Sequence, residues 1–141
     1  MTGRSMFRVA VIAAGLAFAM PTAAQSSSSG DASALIGRMA RARDAGDGAA
    51  ARAAADSALA MLPLADERRA EALFVRATTA PTPAAARTDW LRIVVDHPVS
   101  PRVEDALLAL ADLEWKAGDR AATARHLQQL LGAGLTAERS V

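Results

Sequence analysis

From residue 31 onward, apolar residues recur at steps of three and four, which marks amphipathic helices. In the last part of the chain Val103, Ala106, Leu107, Leu110 and Ala111 form one stripe, and Ala124, Leu127, Leu130 and Leu131 form the one facing it. In the middle, Ala70, Leu73, Phe74 and Ala77 oppose Ala86, Trp90 and Ile93. Earlier, Leu35, Met39 and Ala42 oppose Ala51, Ala55, Ala58, Leu59 and Leu62. The spacing predicts helices over 31–45, 48–62, 66–80, 83–96, 102–117 and 119–131. Strand patterning is nearly absent, since Ile93-Val94-Val95 is the one β-branched cluster and it closes a helix.

The breaks between stripes are themselves periodic. Ala45-Gly46-Asp47 recurs as Ala117-Gly118-Asp119 at an offset of 72 residues, and half that offset falls on the helix-breaking Pro81-Thr82-Pro83. Ala34, Ala70 and Ala106 fall in step with this 36-residue period. Thr82-Pro83 and Ser100-Pro101 each set a capping hydroxyl before a proline suited to the first helical position. The expected fold is all-α: three antiparallel helical hairpins in an α-solenoid, occupying 31–134, with a tail over 135–141.

Residues 1–24 have the layout of a cleavable signal peptide. Arg4 and Arg8 precede the uncharged run Val9–Met20, Pro21 breaks it, and Thr22-Ala23-Ala24 offers small residues for cleavage. That apolar run is too short for a spanning helix, which needs about 20 residues. The expectation is an exported, periplasmic or secreted protein without a stable membrane anchor after cleavage. Gln25–Gly30 reads as a flexible linker.

Composition changes the picture in three ways. The 37 alanines favour helices that approach closely but bury little area each, so each hairpin relies on its neighbours. The formal charge of +1 includes Arg4 and Arg8; from residue 25 onward it is −1, which does not suit a nucleic-acid surface. The absence of cysteine excludes a disulfide framework, a thiolate metal site, a thiol nucleophile and a lipid-modified cysteine.

The segment from His97 to Ala122 resembles a tetratricopeptide repeat, with Pro98-Val99-Ser100-Pro101 opening the hairpin and Ala117-Gly118-Asp119 dividing it. Ala45-Gly46-Asp47, Ala51, Ala58 and Pro63 are similar in the first hairpin. The style is that of repeats in Tol-Pal-associated and outer-membrane-assembly factors of the bacterial envelope. The resemblance implies a scaffold or adaptor binding a protein or peptide partner, with the leading helices lining a groove. Positions left free there are Ile36, Arg43, Arg69, Arg76, Asp105, Leu108, Asp112 and Trp115, beside Ser33, Ala40, Ala72, Thr79 and Lys116. Trp115 is either an apolar anchor of that groove or a ring tucked against a neighbouring helix.

Catalytic signatures are sparse. Asp96 and His97 form either a turn closing a helix or a general base and its orienter in a small hydrolase or ligand-binding domain. His126 and His97 lack metal-ligand spacing, and Gly46-Asp47-Gly48 lacks the length and lysine of a phosphate loop. No cofactor, metal or catalytic activity is expected. After the third hairpin only Leu135–Val141 remain, so the expectation is an exposed end covered by a partner or a frayed last helix.

Overall fold

The computed structural model describes the backbone of residues 23–138 and the side chains of residues 30–133. The signal-peptide expectation rests on residues that lie almost wholly outside this range. Six α-helices make up the described residues, which contain no strand: α1 Ala23–Asp44, α2 Gly48–Met61, α3 Arg68–Thr78, α4 Pro83–Asp96, α5 Arg102–Lys116 and α6 Arg120–Glu138. Each helix packs on the next in sequence, and α3 also touches both α1 and α5. Helix α1 takes in residues 25–30, the stretch whose serines suggest a spacer. Serine is only mildly unfavourable inside a helix, so a helix nucleated downstream can run through it.

The two Ala-Gly-Asp turns are built alike. Gly46 and Gly118 take φ of 73° and 82°, the left-handed region that side chains disfavour. Around the first, Gly46 N–H donates to Arg43 and Asp47 N–H donates to Ala42, each at 2.9 Å. Around the second, Gly118 and Asp119 donate to Trp115 and Glu114 at 3.0 and 2.9 Å. Both are Schellman closures, which satisfy the orphan carbonyls of α1 and α5. The aspartate of each turn then caps the following helix: Asp47 accepts from Ala50 N–H at 2.9 Å, and Asp119 from Ala122 N–H at 2.8 Å. Pro81-Thr82-Pro83 reaches the same result differently, with an extended Thr82 accepting from Ala85 N–H at 3.2 Å.

Two apolar clusters form the core, and α3 belongs to both. Met39, Leu35, Ala51, Ala55 and Ala58 gather around Ala72 and Val75 on one face of α3. Leu73 and Ala77, on its other face, meet Trp90, Ile93, Ala106 and Leu110. Phe74 meets Trp90 edge-on with ring centroids 5.4 Å apart, a favoured aromatic geometry.

Helix α6 departs from expectation. Ala124, Leu127 and Leu131 are exposed, while Ala122 and Thr123 are buried and His126 and Leu130 half-buried. Ala122, Thr123, His126 and Leu130 share a face at three-and-four spacing, so the buried stripe is rotated away from the leucines. Among the described elements α6 packs against α5 alone, and one neighbour covers one narrow face. Ala72, expected to be free on its helix, is wholly buried where α3 packs against α1 and α2.

Candidate functional site

The expected groove positions separate into two groups. Arg43 on α1 and Asp105 on α5 belong to one chain of charges that crosses three helices. Arg43 Nη1 donates to Glu71 Oε1 at 3.1 Å, and Arg102 Nε donates to Glu71 Oε2 at 2.6 Å. Arg102 Nη1 then reaches Asp105 Oδ2 at 3.1 Å. The two oxygens of Glu71 thus tie α1 and α5 to α3, while the Arg102 guanidinium rests 4.0 Å above the Phe74 ring. These partners hold Arg102 above its usual pKa, chiefly through the hydrogen bond that it donates to Glu71. Ile36 is half-buried against the first core cluster, and Asp112 and Trp115 are exposed on α5. Leu108 is exposed one turn before Asp112. Trp115 is not tucked away: its ring is more than half exposed, with the Arg120 guanidinium 4.8 Å from its centroid.

Arg69 and Arg76 are engaged elsewhere. Arg69 Nη1 donates to the Leu59 and Leu62 carbonyls at 2.7 Å each, closing the C-terminus of α2. Arg76 forks onto Asp89 of α4 at 2.8 and 2.5 Å and reaches Asp56 of α2 at 3.3 Å. Asp89 is buried, and its hydrogen bonds are the leading cause of the raised pKa of Arg76. Arg52 donates to the Arg76 and Thr79 carbonyls at the end of α3, and Arg87 bonds the buried Glu114 at 2.6 Å.

Sequence reasoning missed Glu71, Asp89, Glu114 and Arg52. For two of them the signal was present. Asp89 continues the stripe positions Ala86 and Ile93, and Glu114 continues Leu107 and Leu110, so each sits where the stripe demands burial. A carboxylate there requires a cationic partner from another helix. No comparable pattern marks Glu71 or Arg52.

The other candidate surrounds His97. This residue is 6 % exposed and lines a cavity of about 460 Å³ with Leu64, Ala65, Arg69, Leu73, Arg92 and Asp96. Its backbone closes α4 by donating to Ile93 at 3.1 Å. No hydrogen bond or ion pair joins His97 to Asp96, and the lining holds no serine, threonine or cysteine. Among the described residues no cluster of three potential metal ligands occurs, and no helix is long and apolar enough to cross a membrane. Compared with known families, curated proteins and solved structures, the chain matches none.

Proposed function

We propose that the chain is an exported, non-catalytic scaffold or adaptor that binds a protein or peptide partner in the cell envelope. Its six helices act as three antiparallel hairpins of a tetratricopeptide-like α-solenoid with a 36-residue period. The matched Schellman turns at Gly46 and Gly118 support that periodicity. The observation that carries the binding role is the shared face of α1, α3 and α5. Arg43, Glu71, Arg102 and Asp105 run across all three helices there, next to exposed Leu108, Asp112 and Trp115. An exposed tryptophan beside arginines matches the residue types enriched at interface hot spots. The near-neutral charge after residue 24 favours a protein partner over nucleic acid, and export rests on the Arg4–Ala24 layout.

The test is affinity capture from an envelope fraction, followed by titration of the recovered protein against purified chain. Asp105→Lys/Asp112→Lys reverses two exposed carboxylates and leaves the core untouched. The wild type is expected to bind a partner that this variant loses. Equal affinity of both for every partner would overturn the role of this face.

A second reading is a small hydrolase or ligand-binding domain using Asp96 and His97, and the cavity at His97 favours it. Because no hydrogen bond joins Asp96 to His97 to orient a general base, binding of a small ligand is the better-supported form of it. Protection of His97 from histidine-directed modification by a bound small molecule would support this reading.

A further inference from the structure

The two ends of the helical array carry surfaces of opposite character. At one end, α1 and α2 enclose a groove of about 410 Å³ floored by Leu35, Ala50, Ala53 and Ala54 and edged by Arg38 and Arg41. It opens away from α3. Helix α3 engages α1 through Arg43 and α2 through Arg52, whereas Arg38 lies about 140° around α1 from Arg43 and Ala54 about 160° around α2 from Arg52. Both edge arginines lack an ion pair or side-chain hydrogen bond among the described residues.

At the other end large apolar side chains project. Leu108 and Trp115 are each 57 % exposed, Leu127 is 40 % exposed and Leu131 is 70 % exposed. Trp115 lies about 140° around α5 from Arg102, the residue that engages α3. The stacking of Arg120 on Trp115 sets the first turn of α6 beside the last turn of α5. Two turns further along each helix, Leu127 comes level with Leu108. Glu104, which has no ion pair among the described residues, adds a free carboxylate one turn before Leu108, while Asp112 is paired with Lys116 at 2.6 Å.

We propose that a second copy of this chain docks end to end, its α1–α2 groove receiving the α5–α6 ridge of the first. An alanine-floored groove accepts leucine and tryptophan side chains, and the unpaired Arg38 and Arg41 meet the unpaired Glu104. The junctions inside the molecule already use this chemistry, with Arg43–Glu71 and Arg102–Glu71 joining successive layers. Such a contact is heterologous: each copy keeps one free groove and one free ridge, so assembly continues beyond a dimer.

Sedimentation velocity over a roughly hundredfold concentration range tests this. The wild type is expected to gain mass continuously with concentration. Arg38→Glu/Arg41→Glu spoils only the groove and Leu108→Glu/Leu127→Glu only the ridge, so each alone remains monomeric. Mixed, they are expected to form a one-to-one dimer and nothing larger, because one intact groove meets one intact ridge. A misfolded variant could not produce that dimer. A wild type that stays monomeric, or a mixture that fails to pair, would overturn the proposal. Undiminished association of Arg38→Glu/Arg41→Glu would overturn it too, pointing to a symmetric contact through α5 and α6. The ridge shares Leu108, Asp112 and Trp115 with the proposed partner face, whereas the groove variant leaves that face intact, so loss of self-association with partner capture retained in the groove variant separates the two readings.

Discussion

The ion pair between Arg76 and Asp89 offers the sharpest test of how an alanine-rich core is held together. The Asp89 side chain is 5 % exposed and that of Arg76 is 20 % exposed, so the two partners differ in their access to water. Breaking a buried pair by removing one partner costs about 3–5 kcal/mol, mostly from the charge left behind. Arg76→Met strands Asp89, which cannot reach solvent, and should cost about 3 kcal/mol, the low end of that range because the pair is partly hydrated. Asp89→Leu leaves Arg76 with Asp56, whose side chain is 52 % exposed, and should cost only about 1–2 kcal/mol. The double variant Arg76→Met/Asp89→Leu removes both charges and should recover most of the loss, as buried pairs replaced by apolar residues do. Urea unfolding followed by far-ultraviolet circular dichroism measures all three changes. Additive losses, or a larger loss for Asp89→Leu than for Arg76→Met, would refute the reasoning.

Three further outcomes follow from the same geometry. Glu71→Gln weakens contacts to Arg43 and Arg102 together and should cost about 1 kcal/mol, with added salt narrowing the gap to wild type in urea unfolding. Gly46→Ala or Gly118→Ala forces a side chain into the left-handed region with no steric clash nearby, so each should cost about 1 kcal/mol through backbone strain alone, read as a lower melting temperature. Asp66 is held below its usual pKa, chiefly by the Arg68 side chain, so its contribution is present above the unfolded carboxylate value and is lost as pH falls through the lower folded one. Asp66→Asn should therefore flatten the acid limb of a stability–pH profile and leave its slope at neutral pH unchanged.

The helices were legible because they rest on local chemistry. Alanine content, three-and-four spacing, Ala-Gly-Asp and Thr-Pro each act within one or two turns, and they place α2, α4 and α5 within a residue or two of the structure. The rotation of α6 was not legible, because it depends on having a single neighbour, and Leu127 and Leu131 look like core residues until that neighbour is known. The candidate face was legible only in part. Arg43, Asp105, Leu108, Asp112 and Trp115 are exposed, as their place opposite the stripes predicts. Arg69 and Arg76 looked equally free, yet they turn inward to carbonyls and a carboxylate on other helices. Glu71 has no local signature, since its importance comes from arginines 28 and 31 residues away.

The claim that the α1/α3/α5 face binds a partner is tested most directly by site-specific photocrosslinking in the envelope. A crosslinking residue placed at Ile36, Asp105 or Asp112 should capture one common partner. The same residue at exposed Ala60 on α2 or Arg92 on α4 should not. Equal capture from all five positions, or none from the three on the face, would contradict the account.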